Sequence, residues 1–327
     1  MVESTTLNVM ICSGESDHLG HILAEELKKR GIEVTLLIHP NHADNTEVKR
    51  LVDQVGCKFI DGDAMEEAPD KLADKMEGNN IIVSAAFLNS IYHPLIQYKT
   101  DMNLFEACKI YKSRRQSAFK AFVPCQWTLD FTLSYKDFKQ DNISWSWIDC
   151  KKAIINKLRT DNEGVTYMAF FGGLPVDYLS QCCINKQSQC ISFYGSIDSQ
   201  FDCTTVRDLA NVAAKNIAEV NRHVPFHNKE VIFRGQRTSI QQVAQQLNYA
   251  SKRLGSSEEC WTNLRMKPKD LDSRNELVSL LFLYLIGSNS GKLENQSQII
   301  PTYEKEFKFE SLQNFVNSNS FISNPIQ

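Results

Sequence analysis

Short apolar runs alternate with amphipathic segments along the first 125 residues. The apolar runs predict five strands, and the segments between them have the hydrophobic periodicity of helices. The predicted strands cover 8–12, 33–38, 57–60, 80–84 and 118–123, and the predicted helices cover 20–30, 46–55, 69–76 and 95–111. Continuously apolar strands that alternate with helices form parallel sheets covered on both faces. The sequence therefore predicts an α/β fold with a doubly wound parallel sheet.

The second half of the chain is less regular. It predicts a helix over 151–158, strands over 165–171 and 191–194, and a helix from Thr204 or Thr205 to Asn216. Ser239 is predicted to cap a further helix over 240–254, which Gly255 would end. The apolar run 277–286 indicates a buried helix or a core strand, because it has about half the length that a bilayer crossing requires.

These elements predict two parts of unequal size. We expect a Rossmann-type NAD(P)-binding domain over 1–160, with its sheet completed by 164–172 and 190–217. A smaller α/β lobe of the substrate-binding type is expected over 218–327, with contributions from 130–150 and 173–190. Ligands of such sheets bind at the carboxyl ends of the strands, where the winding reverses.

The charge balance narrows the choice of partners. The chain has 36 Lys and Arg residues against 39 Asp and Glu residues, which gives a net charge of −3. A nucleic-acid-binding protein normally carries a basic excess or a basic stripe, so we expect no nucleic-acid partner. We also expect no membrane span, and the start of the chain has no recognisable targeting segment, which predicts a cytoplasmic protein.

The ten cysteines do not form a metal-binding pattern. None is part of a Cys-x-x-Cys pair, and no histidine stands at zinc-finger spacing from a cysteine pair. Most of them lie within apolar segments. The sequence therefore predicts reduced, buried thiols and no metal.

The turn after the first strand has two of the three glycines of a dinucleotide-binding loop. Gly14 and Gly20 stand at the first and third glycine positions, with Ser16 between them, but Asp17 occupies the second. A carboxylate there would repel the pyrophosphate from the helix N-terminus. Asp17 would serve equally well as the N-cap of a helix beginning at His18, with no ligand involved.

The end of the second strand bears on the choice of dinucleotide. A carboxylate at this place usually binds the ribose hydroxyls of NAD, but here the strand ends in Ile38-His39-Pro40. His39 could meet a 2′-phosphate, although weakly when it is neutral. NADP(H) is therefore the better candidate cofactor.

Several motifs give the chain a resemblance to a known family. The segment Phe122-Val123-Pro124-Cys125-Gln126-Trp127-Thr128-Leu129-Asp130 is similar to the Phe-(Val/Ile)-Pro-Ser-x-(Trp/Phe)-Gly-x-Asp stretch of the NmrA-like and isoflavone-reductase-like proteins, atypical members of the short-chain dehydrogenase/reductase superfamily. Further agreement in order and spacing comes from 61–63, 164–174, 193–195 and 201–210. The resemblance extends over about 8–316, effectively the whole chain.

The resemblance implies a set of site residues. Lys152, which begins Lys152-Ala153-Ile154-Ile155-Asn156, matches the lysine that lies near the cofactor ribose and assists proton transfer in reductase members, while Asn156 replaces the family's arginine. A surface lysine is the alternative interpretation of Lys152. Ile148 stands where ordinary short-chain dehydrogenases carry their catalytic tyrosine. The candidate cofactor-binding residues are Gly14, Ser16, Asp17, Gly20, His39, Asp63, Ser84 and Pro124.

Three functions remain open at this point. The first is a non-catalytic protein that binds a dinucleotide or senses its redox state and acts through a protein partner or a larger complex. The second is an NADPH-dependent reductase of a small aromatic or carbonyl substrate that uses Lys152. The third is a structural subunit of a large assembly that binds no nucleotide. The intact fold and the missing tyrosine favour the first function. The departures from the ligand-binding pattern at Asp17, His39 and Asn156 favour the third.

Overall fold

The computed structural model describes residues 7–12, 18–86, 94–115, 118–132, 146–220, 224–266, 274–288, 291–293 and 309–317. The chain divides into two compact units. The first unit comprises 1–126, 145–170 and 209–231, and the second comprises 127–144, 171–208 and 232–327.

A five-stranded sheet forms the centre of the first unit. Its strands are β1 (Asn8–Cys12), β2 (Glu33–Ile38), β3 (Lys58–Asp61), β4 (Ile81–Ser84) and β5 (Ala121–Val123). They lie in the order β3-β2-β1-β4-β5, and every neighbouring pair is parallel. The strand order reverses its direction at β1, which confirms the predicted doubly wound α/β sheet.

The helices of this unit follow the predicted segments closely. They are α1 (His18–Lys29), α2 (Thr46–Arg50), α3 (Pro69–Lys75), α4 (Pro94–Arg114) and α5 (Ser146–Thr160). Helix α2 continues into a wider π-helical turn, Leu51–Val55, and Gly56 ends it with φ of 79°. Such a left-handed conformation costs glycine little, which explains why the helix stops there.

The elements after residue 160 complete both units. They are β6 (Met168–Phe171), β7 (Leu174–Pro175), α6 (Val176–Cys183), β8 (Ile184–Asn185), β9 (Cys190–Tyr194), β10 (Gln200–Thr204), α7 (Val206–Ala218), β11 (Lys229–Ile232), β12 (Gln236–Ser239), α8 (Ile240–Leu247), β13 (Ala250–Gly255), α9 (Ser257–Met266), α10 (Arg274–Gly287) and α11 (Leu312–Asn317). Three smaller sheets have the strand orders β12-β10-β7, β11-β6 and β13-β9-β8.

The position beside β5 is occupied by the segment that leads into β6. The Phe122 amide donates to the Thr166 carbonyl at 2.9 Å, and Phe122 and Tyr167 form a parallel bridge. Strand β9 pairs instead with β13 and β8. The expectation that 190–217 completes the large sheet therefore needs correction, because residues 166–167 already take the hydrogen bonds available beside β5.

The predicted helix over 240–254 is wrong in its second half. Ser239 caps α8 as predicted, and Gln242 closes a reciprocal capping box with it. Asn248 then adopts a left-handed conformation with φ of 56°, and the helix ends. The next segment forms β13, which pairs with β9 in parallel. Asparagine tolerates the left-handed region better than most residues, so it acts here as the stop signal.

The most apolar segment of the sequence is helix α10. Its residues from Leu280 to Ile286 are all buried, so the helix has no solvent-facing side over this stretch. This settles the choice between a buried helix and a core strand. Among the described residues, no helix combines the length and apolar character needed to cross a membrane.

Replacing Asp177 with asparagine should flatten the dependence of stability on pH. Asp177 accepts a hydrogen bond from the first amide of α7, Val206, at 2.9 Å, which an asparagine oxygen can preserve. Burial raises the pKa of Asp177 to about 6, and the Glu310 and Asp208 carboxylates act in the same direction. The folded protein therefore holds a proton that the unfolded chain loses at about pH 4, and this stabilisation disappears as the pH rises through about 6.

The measurement is thermal unfolding at a series of pH values. We expect the melting temperature of Asp177→Asn to exceed that of the wild type above about pH 6, and to fall less between about pH 4 and 6. Asp198, which is exposed, supplies the control, since Asp198→Asn should leave the profile unchanged. Identical profiles for wild type and Asp177→Asn would contradict the assignment.

Candidate functional site

The candidate site lies at the carboxyl ends of the central strands. Cys12 at the end of β1 is paired with Ser84 at the end of β4, and Val83 is paired with Val123 at the end of β5. From β1 the chain continues to β2 on one side of the strand order, and from β4 it continues to β5 on the opposite side. A crevice is therefore expected between the ends of β1 and β4. This is the place where open parallel sheets bind their ligands.

The predicted cofactor-binding residues are only partly covered by the described chain. Gly14, Ser16 and Asp17 lie outside the described residues, so the altered glycine loop stays a prediction. Gly20 is buried in the first turn of α1. Ser84 is fully buried at the strand end, and Pro124 is buried in the turn that follows β5.

His39 and Asp63 lie side by side at the ends of β2 and β3. The distance from His39 Nε2 to Asp63 Oδ2 is 3.5 Å. His39 Nδ1 accepts the amide hydrogen of Asn41 at 3.1 Å. The other Asp63 oxygen, Oδ1, accepts the amide hydrogen of Met65 at 2.8 Å. The structure thus places a carboxylate beside the histidine that the sequence offers to a phosphate.

Buried side chains from α4 and α5 hold the turn that follows β5. Lys151 Nζ donates to the carbonyl oxygens of Cys125, at 2.7 Å, and Gln126, at 2.9 Å. Gln97 Nε2 donates to the same Cys125 carbonyl at 2.7 Å. The Cys125 amide donates to Asp101 Oδ2 at 3.3 Å. We call Gln97, Asp101 and Lys151 the turn clamp, because both polar groups of the Cys125 backbone are bound to it.

The turn clamp contains a buried pair of opposite charges. Lys151 and Asp101 are both fully buried. Burial raises the pKa of Asp101 to about 6, while hydrogen bonding from Ser84 and the charge of Lys151 act in the opposite direction. Because neither charge has access to water, each depends on the protein groups around it.

The two adjacent lysines of α5 have different environments. Lys151 belongs to the buried face of the helix, together with Ile148, Ile155 and Leu158. Lys152 is half-buried, and its neighbour Ala153 is exposed. The lysine that contacts the strand-end turn is therefore Lys151. The role of Lys152 toward a cofactor remains a prediction.

The sequence contained a signal for the clamp. In α4, the buried residues Gln97, Asp101, Leu104 and Cys108 recur at intervals of three or four positions, and Lys151 keeps the same spacing with Ile148 and Ile155. This is the periodicity of a core-facing helix stripe. A glutamine, an aspartate and a lysine within such stripes indicate a buried polar network.

The cysteines and the acidic groups indicate no metal chemistry in the described part of the chain. All ten cysteines are free thiols, and all but Cys182 and Cys190 are buried. Burial raises the pKa of thiols such as Cys57 and Cys150 to about 11, so they stay protonated near neutral pH. Among the described residues, no group of three or more His, Cys, Asp or Glu side chains could hold a metal ion.

Solved structures share this architecture over nearly the whole chain. A structure of AtPrR2 with NADP+ and (+)pinoresinol superposes with a TM-score of 0.73 at 15% identity, covering 96% of this chain and 98% of the other. The fold is that of the isoflavone-reductase-like proteins. The NADPH complex of leucoanthocyanidin reductase from Vitis vinifera gives 0.71 at 15% identity, covering 95% and 98%. An isoflavone reductase gives 0.70 at 16% identity, covering 96% and 99%.

These proteins resemble the chain in fold, but their sequences are only 15–16% identical to it. Neither a family model nor a curated protein sequence matches the chain. The architecture inferred from the resemblance, an NAD(P)-binding type of fold with a smaller additional lobe, is confirmed by these superpositions. At 15–16% identity they carry no information on substrate.

Proposed function

We propose that this protein binds NADP(H) at the carboxyl ends of β1, β4 and β5 and passes the state of the bound dinucleotide to a protein partner, without reducing a substrate itself. The strand order β3-β2-β1-β4-β5 supports the binding part of the proposal, because a sheet with this order is expected to have a crevice between β1 and β4. Two of the similar structures are described as complexes with NADP+ and NADPH.

The residues after β4 fit a dinucleotide that passes close to the backbone. Ser84, Ala85 and Ala86 have small side chains and are all buried, so the strand end presents little bulk to a ligand. His39 and Asp63 provide a hydrogen-bonding pair where the adenosine ribose of a dinucleotide would lie. A bound dinucleotide would supply a hydride donor or acceptor, and the residues named here would orient it.

The proposal that the protein reduces no substrate rests on the burial and the hydrogen bonds of Lys151. Its ammonium group is fully buried and donates to two backbone carbonyls, so it is committed to the turn. A proton donor must instead reach the reacting group of the substrate. Ile148 occupies the position of the catalytic tyrosine in ordinary short-chain dehydrogenases. The burial of Lys151 excludes it as a proton donor, and the missing tyrosine favours a binding protein over a reductase. Lys152 is the donor that the experiment below tests.

Reductase activity through Lys152 is the second candidate. Lys152 is half-buried on α5, one residue after the clamp lysine, and it keeps the Lys-Ala sequence of the family motif. A lysine in a cleft can have its pKa lowered enough to transfer a proton. This candidate requires NADPH consumption that depends on Lys152.

One titration separates the two dinucleotide-binding functions from the structural subunit. We expect NADPH fluorescence to saturate with a dissociation constant of about 1–100 µM, with NADP+ competing. NADH is the necessary comparison, because the Asp63 carboxylate beside His39 could accept hydrogen bonds from unphosphorylated ribose hydroxyls. Absence of binding at millimolar concentration would contradict the proposal and favour a structural subunit.

Turnover assays with Lys152→Ala complete the test. We expect no NADPH consumption above background with small aromatic or carbonyl compounds, and unchanged NADPH affinity in the variant. Lys71→Ala, which changes an exposed lysine of α3, is the matched control. If the wild type and Lys71→Ala consume NADPH and Lys152→Ala does not, the protein is a reductase and the sensor proposal is overturned.

A further inference from the structure

Strand β13 forms an open edge in the second unit. In the order β13-β9-β8 it is an outer strand, and it pairs with β9 along one side. Among the described residues, no strand pairs with its other side. With six residues, it is as long as β2, and no strand in the described part of the chain is longer.

The side chains of β13 are exposed on both faces of the sheet. Ala250, Ser251, Lys252 and Arg253 are exposed, and Leu254 is 42% exposed. A strand at the edge of a sheet usually buries one face against the core or is shielded by a loop. In the described part of the chain, β13 pairs with β9 and contacts α8, and no strand covers its outer edge.

The ladder with β9 decides which backbone groups face outward. The Ala250 amide donates to the Gln189 carbonyl at 2.9 Å, toward β9. In a parallel ladder, alternate residues direct their N–H and C=O groups to the same neighbour. Lys252 therefore bonds toward β9. The backbone groups of Ser251 and the N–H group of Arg253 point to the outer edge, and the register shifts after Arg253.

The charge of the strand selects among possible occupants. Lys252 and Arg253 are adjacent and exposed, and β13 contains no acidic residue. A second copy pairing edge to edge would bring these like charges together, which destabilises cross-strand pairs. Lysine on an edge strand is a known defence against such self-association. A segment with acidic side chains has the complementary charge.

We propose that the outer edge of β13 binds an extended, acidic segment of a protein partner as an additional strand. Main-chain hydrogen bonds to Ser251 and Arg253 would supply affinity, and Lys252 and Arg253 would select acidic side chains. Such a segment would belong to the protein partner of the proposed function, and the biological role of this edge rests on that proposal. Binding at the edge itself needs no dinucleotide.

The test uses the full-length protein and two labelled peptides, one of alternating Glu and Val and one of alternating Lys and Val. Fluorescence anisotropy should show saturable binding of the acidic peptide only. Ser251→Pro removes one outward N–H and leaves the ladder with β9 intact, and proline is tolerated at such edge positions. It should weaken binding about tenfold or more, whereas Ser251→Ala should bind as the wild type does.

A second experiment reverses the charge of the two basic residues of β13. The double variant Lys252→Glu, Arg253→Glu should lose the acidic peptide and gain the basic one. Two results would overturn the proposal in favour of a merely basic surface. In the first, Ser251→Pro and Ser251→Ala bind the acidic peptide equally well. In the second, heparin displaces the peptide and Ser251→Pro has no effect on its binding. Dimers that Ser251→Pro dissociates would overturn it in favour of a second copy.

Repeating the peptide titration with saturating NADPH separates the two proposals. Acidic-peptide binding that NADPH leaves unchanged would support the edge surface and contradict the dinucleotide signal. NADPH binding without any peptide binding would contradict the edge surface and leave dinucleotide binding in place. A change in peptide affinity on adding NADPH would support both.

Discussion

Replacement of Lys151 by methionine is expected to destabilise the protein by about 3–5 kcal/mol. Methionine keeps much of the length of the lysine side chain but has no ammonium group, so the fully buried Asp101 loses the positive charge that offsets its burial. The carbonyls of Cys125 and Gln126 lose a donor at the same time. Urea denaturation followed by circular dichroism measures the effect on the free energy of unfolding.

The adjacent lysine supplies the control for this prediction. Lys152→Met should change the free energy of unfolding by no more than about 0.5 kcal/mol, because Lys152 lies at the half-exposed edge of the same helix. Asp101→Asn combined with Lys151→Met should recover part of the loss, since the buried negative charge is then removed as well. Equal effects of Lys151→Met and Lys152→Met would contradict the turn clamp.

The second large effect is expected at Arg237 of β12. Its guanidinium group holds both carboxylate oxygens of Asp202, with Nε to Oδ1 at 2.7 Å and Nη2 to Oδ2 at 2.6 Å. Asp202 is fully buried in β10 and also accepts the Leu293 amide hydrogen at 2.8 Å. Arg237→Met leaves this carboxylate without its bidentate partner, which should cost about 3–5 kcal/mol. Thermal and urea unfolding both measure the loss.

Arg234 provides the comparison between the bidentate ion pair and a longer ion pair to the same carboxylate. Its Nη1 atom lies 3.7 Å from Asp202 Oδ1, beyond normal hydrogen-bond length. Arg234→Met should therefore destabilise the protein much less than Arg237→Met does. Asp202→Asn should restore part of the stability of Arg237→Met. If Arg234→Met proved as damaging as Arg237→Met, the bidentate pair would not be the source of the stability.

The parallel sheet could be predicted in detail because four of its five strands are almost completely buried on both faces, whereas the edge strand β3 is partly exposed. β1 and β2 have the predicted bounds, and the other three strands of this sheet differ from theirs by no more than three residues at either end. The segments that predict them are mostly apolar, and charged helix ends and glycines lie between them. The helix over 240–254 could not be predicted correctly, because the polar residues 250–253 have no burial pattern, and only pairing with β9 makes them a strand.

The candidate site was predictable in place but only partly in its residues. Ser84 and Pro124 lie at the strand ends as the doubly wound pattern requires. The approach of Asp63 to His39 joins the ends of two different strands, and no local pattern reveals it. The loop with Gly14, Ser16 and Asp17 rests on the sequence alone, so the NADPH titration is its test.

The sequence by itself determined the order of the elements, the parallel sheet and the end of the sheet where a ligand would bind. These follow from hydrophobic periodicity and turn residues, which act over a few neighbouring positions. Three features follow only from the packing of the elements: Lys151, and not Lys152, contacts the turn after β5, Asp101 is its buried counter-charge, and no described strand covers the outer edge of β13. Each of these depends on residues far apart in the chain, whose burial and charge are set only when the elements pack together.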